Sequence, residues 1–210
     1  MTVELAETLP LAQRLALSYA PGAAREPVLA LLALDQRLAA ILRSGGEPAL
    51  AQIKLAWWRE RLSESPARWP QGEPLLALLR DFPGGPGVLA EVVDGWEMLL
   101  GERLGTAEIA QFADGRAAGW RALGGDGAAN AARRWALADL LLNLPDGDEA
   151  KAVRAALATE PSHRARLPRD VRPLAVLHAL ARRAIRRGAG ELLDGPGALG
   201  TAMRVGIFGA

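Results

Sequence analysis

Apolar residues recur along the chain at spacings of three and four, and Pro and Gly interrupt the pattern at intervals. The first such segment runs from about Pro10 to Tyr19 and stops at Pro21 and Gly22. The second runs from about Glu26 to Arg43, with Pro27 suited to its first turn and Gly45 and Gly46 ending it. Its inner stripe reads Val28, Leu31, Leu32, Asp35, Leu38, Ala39, Leu42. A third helix starts near Pro48 and ends before Pro66. There Leu50, Ile53 and Trp57 form one apolar stripe and Leu55, Trp58 and Leu62 an adjacent one, a face wide enough to predict burial between several neighbours.

Further helices are predicted at about Glu73–Arg80, Val88–Arg103 and Thr106–Leu123, the last with Ile109, Phe112, Ala113, Ala117 and Trp120 inward. Gly124 to Gly127 break the pattern before a helix from about Ala129 to Leu144 and a shorter one from Asp146 to Ala158. A basic loop over Pro161–Pro168 leads to a last long helix from Pro173 to about Arg187, and the Gly-rich tail has room for one more turn near Ala198–Val205. No segment alternates as a strand would, and no repeat period is visible. The expectation is an all-α fold: a helical bundle of about nine helices forming a single domain over residues 1–210.

Composition strengthens this picture. Of 210 residues, 42 are Ala and 36 are Leu, both strong helix formers, while aromatic residues are 5%. The chain has no Cys, which excludes a disulfide scaffold, a thiolate metal site and a cysteine nucleophile. A net charge of +1 argues against a nucleic-acid partner. The start of the chain, Met1 to Glu7, is acidic and lacks the basic and apolar regions of a secretory signal. Charges such as Asp35, Arg37 and Asp139 interrupt every apolar run. These features predict a soluble, cytoplasmic protein.

The charge is unevenly spread. Between Pro161 and Gly190 there are eight Arg against one acid, Asp170, so this segment carries +7 and the remainder −6. One reading is a solvated helix face. The other is an anionic-ligand patch built from Arg172, Arg182, Arg183, Arg186 and Arg187, taking a diphosphate or docking the protein peripherally on the inner membrane.

Familiar enzyme signatures are absent: there is no P-loop, no GxGxxG after a strand, no HExxH and no GxSxG. The two histidines, His163 and His178, lie in the basic loop and beside the stripe of the last long helix, and carboxylates at zinc-ligand spacing are lacking. No metal site is read from the residues. Asp35 stands out because it interrupts the apolar stripe of its helix. A buried carboxylate must be paired or hydrogen-bonded, or change its pKa. Either it pairs with Arg59 or Arg61 of the next helix, or it lines a helical cavity. Asp139, at the edge of its stripe, is a second candidate of the same kind. Trp57 and Trp58 point about 100° apart on their helix, so each needs its own apolar neighbour, and Arg59 is placed to stack on an aromatic or to grip a carboxylate.

The stretch LSYAPGAAREPVLALLALD (residues 17–35), with Glu47 and Pro48 and the run IKLAWWR (53–59), resembles the squalene/phytoene synthase family, whose pattern places an ALYAF helix before an RLxWWR helix. Val92 to Trp96 (VVDGW) resembles the family's LIDG helix, and LPRDVRPL (167–174) resembles the end of its shorter members. The likeness covers most of the chain and is strongest over 15–62. It implies an isoprenoid-synthase-like fold around a cavity, with Asp35, Ala39, Arg43, Trp57, Arg59 and Asp139 as candidate cavity residues.

Active members of that family condense two prenyl diphosphates, with Mg²⁺ held by two aspartate-rich motifs facing each other across the cavity. Here the positions matching the first motif are Ala39, Ala40 and Arg43, the second should fall near Trp135–Pro145 where only Asp139 stands, and the Asp expected after the LIDG helix is Leu99. The sequence therefore most resembles a degenerate branch that keeps the fold without the aspartates and includes mitochondrial complex I assembly factors. This implies a non-catalytic protein with no cofactor, binding an isoprenoid or lipid ligand or a protein partner. The alternatives are an active, Mg²⁺-dependent prenyltransferase using Asp35, Asp139 and the arginines of the last long helix, and a peripheral membrane-docking scaffold.

Overall fold

A computed structural model describes residues 2–44, 47–161 and 167–209 of the chain. Its elements are α1 (Thr2–Glu7), α2 (Leu11–Leu17), α3 (Gly22–Arg43), α4 (Pro48–Ser63), α5 (Pro74–Leu79), α6 (Ala90–Glu97), α7 (Thr106–Asn143), α8 (Asp148–Thr159), α9 (Arg172–Arg187) and α10 (Gly197–Phe208). Four short 3₁₀ turns, at 66–68, 86–89, 98–100 and 169–171, join them. No strand occurs among the described residues, and the all-α expectation holds. Gly45 and Gly46, expected to end the second predicted helix, lie outside the described residues, as do His163 and most of the basic loop.

Helix α7 is two helices in one. Gly125 adopts φ 71° and ψ −168°, a conformation a side chain would strain, in the glycine-rich break the sequence predicts. A straight helix would separate residues 116 and 139 by about 34 Å at 1.5 Å per residue. Instead their side chains touch, and Trp120 and Trp135 meet edge to face with ring centres 6.3 Å apart. The chain folds back at Gly125 into an antiparallel hairpin whose first arm is 106–124 and whose second is 126–143.

Helix α6 crosses the first arm at a contact only glycine allows. A Cβ on Gly115 would stand 2.4 Å from the Glu91 carbonyl oxygen and 2.6 Å from the Gly95 Cα. This close approach presses Trp96 and Arg116, the residues that follow each glycine, toward α3. Helix α3 threads the core, with Val28, Leu31, Leu32, Leu34 and Leu38 each at most 2% exposed. The sequence places its inner stripe correctly.

Helix α4 departs from expectation. Leu55, Trp58 and Leu62 are buried, but Leu50, Ile53 and Trp57 are 52%, 65% and 37% exposed. One of the two predicted stripes faces outward because α4 packs on α3 and α6 along one side only. The predicted helix Val88–Arg103 is an eight-residue α-helix between two 3₁₀ turns. The N-terminal helix α1 has no counterpart in the sequence reading.

Candidate functional site

The most polar point of the interior is built on Asp35. Its helix position directs it into the core, where it is 4% exposed. Arg116, 2% exposed, meets it from the first arm of α7. The guanidinium grips the carboxylate with two hydrogen bonds, Nε to Oδ1 at 2.8 Å and Nη2 to Oδ2 at 2.6 Å. Trp96 Nε1 donates a further bond to Oδ1 at 2.9 Å. From the second arm, Asp139 Oδ2 accepts from Arg116 Nη1 at 2.9 Å. One arginine therefore ties α3 to both arms of the hairpin.

Aromatic rings enclose that arginine. Its guanidinium carbon lies 4.4 Å from the centre of Trp135, 5.0 Å from Trp96 and 5.4 Å from Phe112. Trp96 and Phe112 meet edge to face at 5.3 Å. Burial alone would lower the pKa of Arg116, but the charges of Asp35 and Asp139 outweigh it and hold it above its ordinary value. The pKa of the Asp139 carboxyl is raised, chiefly because burial disfavours its charge, with repulsion from the Asp35 carboxylate adding to this; attraction to Arg116 and Arg43 pulls it the other way.

The predicted candidates distribute as follows. Asp35 and Asp139 come together. Their partner is Arg116, not Arg59 or Arg61: α4 runs along the far side of α6, so Arg59 turns to Asp94 and Glu97 of α6, and Arg61 turns to Glu60 of its own helix and to Glu64 just past its end. Ala39 is buried one turn beyond Asp35, while Arg43, a further turn along, is exposed. Trp57 is at the surface, edge-on to Trp58 at 5.1 Å. None of these candidates lines either of two clefts of about 390 and 380 Å³, the first among α1, α2 and the start of α3, the second between the end of α3 and the start of α4.

The expected anionic patch is only partly a surface. Arg183 is 5% exposed, with Nη1 donating to the Asp194 carbonyl at 2.6 Å, because α10 folds over it. Arg172 and Arg182 are half-buried, and Arg186 and Arg187 are exposed. His178 on the same helix is held neutral: burial, with Arg134 and Arg182 nearby, lowers its pKa to about 4. No group of three His, Cys, Asp or Glu side chains among the described residues is placed to share a cation. No described helix is long and apolar enough to cross a membrane.

The sequence reading missed Arg116, although the signal was present. Position 116 falls within the apolar series 109, 112, 113, 117, 120. A cation in one apolar stripe and an anion, Asp35, in another is the pattern of a buried pair.

The all-α architecture, in which carboxylates of α3 and α7 converge on one arginine, is consistent with a fold of the isoprenoid-synthase type. Residues 13–114, just under half of the chain, match the family model for squalene/phytoene synthase, and over that stretch the chain is similar to this family. The match includes Asp35, Arg59, Asp94 and Trp96 and ends two residues before Arg116. No curated protein and no solved structure is significantly similar to the chain.

Proposed function

We propose that the chain is a non-catalytic squalene/phytoene-synthase-like protein that acts by binding rather than by prenyl transfer, as the assembly-factor-like branch would. The observation that carries this reading is the guanidinium of Arg116 between Asp35 and Asp139. Mg²⁺ requires a near-octahedral set of oxygens at about 2.0–2.1 Å. Both oxygens of Asp35 already accept from Arg116, one of them from Trp96 as well, and Asp139 accepts from the same arginine. A cation entering here would displace a buried positive charge that has no other carboxylate partner among the described residues. The residues present do not fit the metal.

The aromatic rings around Arg116 add to this, since they fill the space beside Asp35 that a prenyl chain would need. Binding then falls to the outside. The exposed stripe of Leu50, Ile53 and Trp57 runs beside the cleft that Ile41, Leu42, Leu99 and Leu100 line, with Lys54 at its edge. An isoprenoid or lipid tail suits this groove, and so does the apolar side of a protein partner.

The test is incubation with Mg²⁺ and farnesyl or geranylgeranyl diphosphate, reading pyrophosphate release and product. No turnover is expected; turnover overturns the proposal. Organic extraction of the purified protein, beside affinity capture with the wild type and Ile53→Asp, separates the two occupants. A lipid lost with the substitution identifies a tail site, and a partner lost with it identifies a protein surface.

A further inference from the structure

Helix α10 carries two faces of the same character. Ala198, Ala202 and Val205 are buried against the rest of the molecule, and the Tyr19 ring packs so closely that a Cβ on Gly206 would stand 2.4 Å from it. Turned away from that contact are Leu199, Met203 and Ile207, four residues apart and 55%, 55% and 58% exposed. Phe208 follows at the helix end, 73% exposed. Isolated exposed apolar residues need no explanation, but four on three turns of one helix do.

The charge around this stripe points to what covers it. Over residues 167–209, which hold α9 and α10, seven arginines stand against Asp170, Glu191 and Asp194. Helices α9 and α10 are antiparallel, since Arg172 lies against Gly209 at one end and Arg183 against Gly197 at the other. Arg186 and Arg187, both exposed, therefore flank the start of α10, while the exposed Arg169 and the half-buried Arg172 flank its end. A second copy of this chain would bring the same positive face against itself. An anionic bilayer offers both an apolar interior for the stripe and negative head groups for the arginines.

We propose that α10 is an interfacial helix that docks the protein on an anionic membrane surface, with Leu199, Met203, Ile207 and Phe208 entering the acyl boundary and Arg186 and Arg187 meeting lipid phosphates. This surface is separate from the groove beside α4 and does not depend on what that groove holds.

Flotation of the full chain with vesicles tests it. Phosphatidylcholine alone is compared with phosphatidylcholine containing about a third phosphatidylglycerol. Binding is expected to the anionic vesicles and to weaken as salt rises. Met203→Glu with Ile207→Glu should reduce the partition at least tenfold, with helical content checked by circular dichroism. Arg186→Gln with Arg187→Gln alters exposed side chains only and should reduce binding at least tenfold to anionic vesicles alone. The proposal is overturned if the wild type binds neither vesicle. It is equally overturned if light scattering finds a dimer that Met203→Glu with Ile207→Glu splits while vesicle binding is absent, because the stripe then covers a second copy.

Discussion

Arg116 and Arg59 are each held between two carboxylates, yet they occupy opposite environments. The Arg116 side chain is 1% exposed, with Asp35 at 5% and Asp139 at 26%. Arg59 is 33% exposed, with Asp94 at 53% and Glu97 at 28%. In the interior a hydrogen bond left unmade has no water to replace it, so each partner is held by the cost of losing the other. At the surface water substitutes readily, and the same number of contacts contributes little. Two clusters of similar composition therefore do different work. The inner one fixes how α3, α6 and the α7 hairpin meet. The outer one fastens α4 to α6 without deciding where either goes.

Breaking the inner cluster should give the largest effect. Among the described residues, Arg116→Met leaves Asp35 buried with Trp96 as its only donor, and leaves Asp139 with no cation in contact. A loss of about 3–5 kcal/mol in unfolding free energy is expected, the usual cost of removing one partner of a buried pair. Urea denaturation would show it as a lower midpoint at unchanged slope. Adding Asp35→Leu to Arg116→Met should recover a large part of that loss, because the stranded charge is then gone. If the single substitution costs under about 1 kcal/mol, the interior pairing does not hold the helices together.

The outer cluster predicts a much smaller change. Arg59 binds Asp94 through Nε at 2.5 Å and Glu97 through a second nitrogen. The two carboxylates, against the opposing effect of partial burial, hold its pKa above the ordinary arginine value. Arg59→Met keeps the aliphatic stem and should cost no more than about 1 kcal/mol, with part of that effect removed by salt. A double-mutant cycle pairing it with Glu97→Gln reads the coupling directly. A cost near that of Arg116→Met would erase the distinction between the clusters.

Much of this difference is foreseeable from the sequence, but not its geometry. The stripe of α3 marks Asp35 as buried because a period of 3.6 is a property of one helix alone. Which cation reaches it depends on where Gly125 folds α7 back and on how closely Gly95 and Gly115 let α6 and α7 approach. Those are tertiary facts written in single glycines. The exposed stripes of α4 and α10 were illegible for a related reason. Periodicity reports that a face is apolar and leaves open whether another element of the same chain covers it. Leu50, Ile53 and Trp57 read as a core stripe, yet no described element covers them. For Asp35 the sequence leaves two readings, an ion pair or a cavity wall, and the structure pairs it with Arg116, ringed by Trp96, Phe112 and Trp135.

The smallest expected effect is the most discriminating for the inner cluster. Asp35 and Asp139 bring two negative charges to one guanidinium, so one carboxylate is in excess, and Asp139 is the one whose pKa is raised. A carboxyl raised in the folded state binds its proton more tightly there than in the unfolded chain. Its contribution to stability is then complete below the unfolded value near 3.8 and declines as pH rises through the raised one. Asp139→Asn keeps an oxygen that accepts from Arg116 Nη1 and removes the ionisation. At pH 7 the variant should lie within about 1 kcal/mol of the wild type. Measured by urea denaturation in steps from pH 4 to pH 8, the difference should move in the variant's favour as pH rises. Movement toward the wild type instead would mean that attraction to Arg116 outweighs burial. Arg116 would then serve two ionised carboxylates, as Arg59 does at the surface, and the interior would lose the feature that sets it apart.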